Sequence, residues 1–489
     1  MKTLFEVLSI VALGYFAFLN GVYLLFALIA SRGITHHRHE REYAATEEAF
    51  ASPLTPPVSV LLPAYNEEAG IVESVRSLLA LRYPEFEVVV VNDGSADGTI
   101  DRLREAFDLV PVRKALRDEI ATAPVKAAYA SRRHPELSVI DKSNGGKADA
   151  LNCGVNAARY PYLCAIDADA MLESDALLRV AEPMIDDPGR VAATGGIVRI
   201  ANGCTIDHGR VTAVGLPRSR LATMQIVEYF RAFLIGRVGW SRLGSLLIIS
   251  GAFGLFRRSL VEAIGGWSTD TVGEDVELVV RLHRHLRERG EEYRIEFVPD
   301  PVCWTEAPES IRMLSRQRRR WQRGLAEALW RHRRLFANPR YGALGLVAFP
   351  YFLVFELFGP VVQLLGYPIV VFAFSTHAVS GSFLVAFLAM ALLLSVLLSV
   401  SALALEEFNY RRHARAREAS RLLLFAVLEN FGYRQLNDFW RLQAFVDLAR
   451  RKRQWGEMKR RGLATTSSPA QVAVTEPRDL EARVHGTAR

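Results

Sequence analysis

Tyr162-Leu-Cys-Ala-Ile-Asp-Ala-Asp169 is the stretch around which the rest of the chain is organised. Its first five residues read as a strand buried on both faces. Two carboxylates one residue apart follow at once. The backbone leaves the sheet there, so both can point into the crevice where open α/β sheets bind ligands. Paired acidic oxygens suit a hard cation such as Mg²⁺ or Mn²⁺, which can also bridge phosphates. Asp is equally at home where a strand ends in a turn, and D-x-D alone does not separate the two readings.

Upstream, strands and helices alternate. Val58-Ser-Val-Leu-Leu62 reads as a strand, Pro63-Ala-Tyr-Asn-Glu67 as the turn after it, and 68–81 as a helix. Glu87-Val-Val-Val-Val91 is the next strand and ends in Asn92-Asp93-Gly94-Ser95, before another helix from about 97. The alternation predicts a parallel sheet with helices on both faces. Asp93 is either a turn former or an acceptor of hydrogen bonds from a nucleoside. Residues 112–135 read as a charged surface insertion. In Lys142-Ser-Asn-Gly-Gly-Lys147 two glycines allow close backbone approach, and a helix N-terminus behind them favours an anion. The spacing is not that of a Walker A loop.

The chain has 489 residues, a net charge of +7 and a mean hydropathy of +0.11. Residues 4–30, 343–375 and 382–404 hold much of the apolar excess, and Lys and Arg collect beside them. That distribution suits lipid headgroups or a phosphate-bearing substrate, and no nucleic-acid module is present. Cys153, Cys164, Cys204 and Cys303 are far apart, which fits reducing surroundings rather than a disulfide framework.

Seven motifs occur in one order: Pro63-Ala-Tyr-Asn-Glu67, Asp93-Gly-Ser95, Asn144-Gly-Gly-Lys147, Asp167-Ala-Asp169, Ser250-Gly-Ala-Phe-Gly254, Gly273-Glu-Asp275 and Gln317-Arg-Arg-Arg-Trp321. In this the chain resembles family 2 inverting glycosyltransferases of GT-A fold. The last three motifs look like those of the membrane-embedded synthases of cellulose, hyaluronan, chitin and poly-N-acetylglucosamine. The resemblance implies an α/β GT-A domain inserted between transmembrane and interfacial helices. It assigns metal binding to Asp167 and Asp169, uridine contacts to Ala64, Tyr65, Glu67 and Asp93, and the donor's phosphate side to Lys147. Asp275 is the expected general base, with a helix N-cap or first-turn acid as the bland reading and Glu274 as its support. Gln317, Arg320 and Trp321 are expected at the diphosphate and the acceptor sugar, which leaves Arg318 and Arg319 to lipid headgroups. Trp304-Thr-Glu306 falls near the acceptor side with no assigned role.

The domain reading is an N-terminal anchor (1–31), a linker (32–57), a cytoplasmic glycosyltransferase domain (58–325), interfacial and transmembrane helices (326–449) and a basic, partly disordered cytoplasmic tail (450–489). Leu4 to Ala30 is longer than the apolar core of a signal peptide. Arg32, Arg38 and Arg41 after it outnumber Lys2 before it, which puts the N-terminus outside an inner membrane and the main domain in the cytoplasm. An amphipathic helix is expected over 324–342, a kinked span or an interfacial piece plus a span over 343–375, a clean span over 382–404, and an interfacial or re-entrant segment over 421–449. Three functions follow. The first is a processive synthase using a UDP-sugar and exporting its glycan, with a second copy or an export partner to complete the path. The others are transfer of one sugar to a lipid-linked acceptor, and a non-enzymatic receptor or scaffold.

Overall fold

The computed structural model describes residues 2–43, 55–207, 209–410 and 416–450. The tail 451–489, residues 44–54 of the linker and residues 411–415 lie outside the described residues. The first helix, α1 (Lys2–Tyr43), runs on past residue 31, where the linker was expected to start. Its Phe26, Ala30 and Ile34 recur every four residues, fall on one face, and join the main core.

From Val58 the chain forms β1 (Val58–Ala64), α2 (Ile71–Leu79), β2 (Phe86–Asp93), α3 (Thr99–Phe107), β3 (Leu109–Val112), β4 (Val125–Ser131) and β5 (Leu137–Lys142). Then come α4 (Lys147–Ala157), β6 (Tyr162–Ile166), β7 (Ala170–Leu172), α5 (Ala176–Asp186) and β8 (Val191–Ile200). A small hairpin, β9 (Thr205–Asp207) and β10 (Arg210–Ala213), precedes α6 (Arg220–Phe230), a wide π-helical turn at Arg231–Arg237 and α7 (Val238–Arg242). The domain closes with β11 (Phe253–Arg257), α8 (Arg258–Ala263), α9 (Glu274–Glu288), β12 (Arg294–Thr305) and α10 (Ile311–Arg331).

The main sheet has ten strands in the order β3-β4-β5-β2-β1-β6-β11-β8-β12-β7. Strands β5, β2, β1 and β6 are parallel and end at one edge. The sheet is mixed, however, and not the wholly parallel one that the alternation predicts. β11 runs antiparallel to both β6 and β8 because the chain re-enters at the site edge, through Ser250 and Gly251, and must run back from it. The 112–135 segment is also not all loop, since β4 pairs antiparallel with β5 over Val125–Ala130.

The helix expected over 324–342 is displaced. α10 starts at Ser310, whose hydroxyl caps the Met313 N–H, and it is continuous through Gln317 to Trp321. It ends at Arg331, and two 3-10 turns, Arg333–Leu335 and Pro339–Tyr341, replace the rest. Beyond lie α11 (Leu344–Leu357), α12 (Gly359–Ser375), α13 (Gly381–Tyr410), α14 (Ala416–Leu428) and α15 (Tyr433–Ala449). Among the described residues two helices are long and apolar enough to cross a membrane, Thr3–Thr35 and Gly381–Phe408, and α11 with α12 forms a pair bent by 51°.

The bend has a cause. Pro360 has no N–H to offer the Glu356 carbonyl, and the Val361 N–H turns to Phe358 O instead. Side chains replace the lost donors: Arg441 donates to Glu356 O, and Gln322 Nε2 to Leu357 O at 2.7 Å. α14 and α15 form a helical hairpin around Gly432 (φ +94°). Their polar residues point inward: Glu429 accepts from Ser399 (2.6 Å), Arg434 (2.8 Å) and Arg231.

Candidate active site

The site is assembled at the edge where the parallel strands end. At the end of β2, Asp93 spends both carboxylate oxygens on the next loop: Oδ1 accepts from Gly145 N (3.0 Å) and Oδ2 from Gly146 N (2.7 Å). Lys142, at the end of β5 and fully buried, reaches Asp93 (2.6 Å) and Asp149 (2.5 Å). Burial opposes its charge, but the Asp149 and Asp93 hydrogen bonds hold the ammonium above its usual range. Gly146 takes φ +89°, which L-residues resist, and so turns the chain into α4 with Lys147 as its first residue.

Lys147 then bridges three elements. Its Nζ is 2.6 Å from Asp167 Oδ1, 3.2 Å from Glu274 Oε1 and 3.1 Å from Gly251 O. Burial works against the charge, and Asp167 and Glu274 overcome it and hold the group above its usual range. Burial pushes the Glu274 carboxyl up, against the pull of Lys147. Asp275 Oδ1 accepts from the Val276 N–H at 2.8 Å in the first turn of α9. A Cβ on Gly251 would sit 3.0 Å from Asp275 Oδ2 and 3.2 Å from Lys147 Nζ, so glycine keeps this space open.

The D-x-D turn is braced on both sides. The Asp167 N–H donates to Ala252 O (3.3 Å), Ser74 donates to Ala168 O (2.5 Å), and Thr305 donates to Asp169 Oδ2 (3.3 Å). β7 crosses from this turn to pair with the end of β12, which brings Glu306 to the site. Across from it, Gly273 and Gly324 touch: a Cβ on Gly273 would come within 2.7 Å of Gly324 Cα. That approach sets Glu274 and Asp275 against the α10 turn that carries Arg320 and Trp321.

One cavity of about 950 Å³ is lined by Lys147, Asp167, Asp169, Glu274, Asp275, Gln317, Arg320 and Trp321. Ala64, Tyr65, Glu67 and Asp93 do not line it. They sit at the ends of β1 and β2, whose loops are tied by Asn66 N to Ser95 Oγ (2.9 Å) and Glu67 N to Thr99 Oγ1 (2.9 Å). Ala64 is buried and Tyr65 exposed. Arg318 and Arg319 face protein rather than headgroups. Arg318 pairs with Glu228 (2.8 Å) and lies 4.5 Å from the Trp321 ring centre, while Arg319 donates to Asp447 (2.7 Å). Among the described residues no group of three or more His, Cys, Asp or Glu could hold a metal by protein ligands alone. Two carboxylates at a cavity fit the other kind of site, where Mg²⁺ or Mn²⁺ is completed by substrate phosphates.

Residues 59–265, which hold the strand-end loops and the D-x-D turn, match the model for Glycosyl transferase family 2. Those residues carry a family 2 glycosyltransferase domain. Its mixed α/β sheet is GT-A-like. The chain is 31% identical over 277 residues to a poly-beta-1,6-N-acetyl-D-glucosamine synthase of Staphylococcus epidermidis, and 32% identical over the same length to one of Staphylococcus aureus. The chain matches just over half the length of these curated relatives, 56% of each. A solved mannosyltransferase from Pyrobaculum calidifontis, in complex with GDP-Man and Mn²⁺, is 21% identical with a TM-score of 0.49, covering 88% of this chain and 99% of that one.

Two residues that line the cavity escape the sequence reading. Gly251 stands inside Ser250-Gly-Ala-Phe-Gly254, so a signal existed, but its role needs the Asp275 contact to be visible. Arg237 lies in the unremarkable apolar stretch 226–249 and carries no motif.

Proposed function

We propose that this chain is a membrane-bound inverting glycosyltransferase that moves a sugar from a nucleoside-diphosphate donor, read as a UDP-sugar, onto a growing polysaccharide. The observation that carries the reading is continuity. The cavity that holds Lys147, Asp167 and Asp275 is also lined by Tyr23 of α1, Glu356 and Gln363 of the bent pair, and Asn437 of α15. The buried side-chain oxygens of Gln317 and Asn437 have no partner among the described residues, and each suits a sugar hydroxyl. Trp321 is 42% exposed and offers a ring face for stacking.

In this reading the acceptor hydroxyl gives its proton to Asp275 while its oxygen attacks the anomeric carbon. The bond to the diphosphate breaks on the opposite face, which inverts the centre. Lys147 and Arg320 supply positive charge toward the leaving group. Asp167 and Asp169 would hold Mg²⁺ or Mn²⁺, and the bound cation supplies further charge neutralisation for the diphosphate. Ala64, Tyr65, Glu67 and Asp93 form the uridine side, with Asp93 acting through the loop that carries Lys147. The catalytic domain is cytoplasmic on the inner membrane, where nucleotide sugars are made, and a second copy or an export partner completes the glycan's path. The likeness to poly-N-acetylglucosamine synthases favours polymer over single addition.

The test is to supply the full chain in proteoliposomes with a panel of radiolabelled nucleotide sugars and resolve the products. A ladder of glycans is expected, lost on EDTA treatment. A single-sugar lipid adduct at every donor concentration would overturn the polymer reading, and no transfer from any donor would overturn the enzyme reading.

A further inference from the structure

Lys147, Arg231, Arg318, Arg434 and Arg441 line the cavity, and each faces a carboxylate. Arg237 lines the same cavity and makes no ion pair among the described residues. Its Nε donates to Ile249 O at 2.7 Å, and its guanidinium carbon lies 3.8 Å from the centre of the Phe233 ring. These two contacts fix the plane of the group and leave its terminal nitrogens without a protein acceptor among the described residues. Buried charges are normally paired, because desolvation is otherwise uncompensated. Burial pulls this guanidinium down to about 10, so it stays protonated at neutral pH.

Its surroundings are shared by the candidate base and the apolar helices. Ile249 leads directly into Ser250-Gly251, the segment against Asp275 Oδ2 and Lys147 Nζ. The groups that act on its charge are Tyr229, Asp275, Tyr23 and Glu356. Tyr23 donates to Glu356 at 2.9 Å, so these two mark the membrane-helix side of the cavity. Arg237 therefore stands between the candidate base and the membrane helices, where an acceptor must lie if Asp275 takes its proton.

We propose that Arg237 binds an oxyanion carried by the acceptor, a uronate carboxylate of the glycan or the phosphate of a lipid-linked primer. An arginine fork matches either group with two parallel hydrogen bonds. The proposal rests on the glycosyltransferase reading, which supplies the acceptor side through Asp275.

The experiment uses the full chain in neutral-lipid nanodiscs and measures binding, not turnover. The probes are a neutral N-acetylglucosamine tetrasaccharide against one containing glucuronate, and a polyprenol against its phosphate. One charged probe should bind the wild type at least about tenfold more tightly than its neutral counterpart. Arg237→Gln should abolish that preference and leave the affinity for UDP within about twofold. The probe whose advantage disappears names the source of the oxyanion. Arg237→Met, which keeps the apolar stem over Phe233, carries the same test if the Gln variant does not fold. Equal binding of charged and neutral probes to the wild type would overturn the proposal. So would a preference that survives in both variants, or a tenfold loss of UDP affinity, which would put Arg237 on the donor diphosphate. A wild type that binds no UDP would count against the glycosyltransferase reading alone, since the probe preference is also scored without nucleotide.

Discussion

Lys147 is one ammonium shared among two carboxylates and a carbonyl, and Asp275 stands beside it without bonding to it in any described contact. A donor diphosphate entering the cavity would compete for Lys147 and leave Asp275 free to face the acceptor. Asp275→Asn should therefore remove turnover, by about 10²-fold or more, while donor binding measured by calorimetry stays close to wild type. Wild-type turnover in this variant would reduce Asp275 to a helix-terminal acid. His283 makes a separate, structural prediction. It is buried in α9 between the Tyr293 hydroxyl (2.7 Å) and Leu246 O (2.9 Å), and burial pulls its pKa down from 6.5 to about 4. Between those values the unfolded chain binds the extra proton, so stability rises with pH and is lost as pH falls from 6.5 toward 4. The window is worth up to roughly 3 kcal/mol. Melting temperature followed over that range should fall more steeply for wild type than for His283→Gln, and parallel curves would show that another group governs the loss. The contrast with Arg237 shows what sequence can reveal at this scale. Asp167, Lys147 and Asp275 were legible because each ends a strand or opens a helix inside a short motif. Arg237 is singled out by Phe233, Ile249 and the lack of an ion pair among the described residues, none of which leaves a pattern along the chain.

Helix α10 is best understood through what touches it. Gly273 and Gly324 bring its backbone against the start of α9, and the Gln322 amide reaches the carbonyl exposed at the α11–α12 bend. Gly324→Ala would force a Cβ into contact with Gly273 backbone at 2.7 Å. The two helices must then part, and a shift of this size at reacting groups can cost about 10²-fold in rate. The expected outcome is a large fall in transfer with UDP binding retained, measured on the same preparation. An active Gly324→Ala enzyme would mean that the approach is incidental. The sequence located the Gln317–Trp321 run but put the helix after it, because Arg331, Arg333 and Arg334 look like an interfacial stripe. Ser310 was the better boundary signal, a cap ahead of the motif. The antiparallel return of β11 was not legible for a different reason. Strand direction depends on where the preceding chain re-enters the sheet, which periodicity does not record.

At the scale of the molecule, the C-terminal apolar helices and the α/β domain share buried interactions. Arg199 of β8 and Glu406 of α13 form a buried pair, with the guanidinium also 5.6 Å from the Phe230 ring centre and 5.5 Å from that of Tyr410. The proposed topology can be read with labels. Cys204, the half-exposed cysteine of the catalytic domain, should resist an impermeant thiol reagent in intact cells, whereas Ser380→Cys in the loop before α13 should react. The opposite pattern would invert the arrangement. The docking of α1 bears on how the protein comes to exist at all. Phe26 packs on Trp240 with ring centres 4.9 Å apart, and a side chain on Gly239 would meet the Phe26 ring at 2.5 Å. A helix N-terminal to the α/β domain thus supplies part of that domain's core. The core of the α/β domain is therefore incomplete until α1 has docked on it. A chain beginning at residue 55 should accumulate as aggregate or fail to bind UDP, and Phe26→Ala should lower stability by about 3 kcal/mol. A soluble, UDP-binding fragment recovered in good yield would show that the domain matures without its first helix.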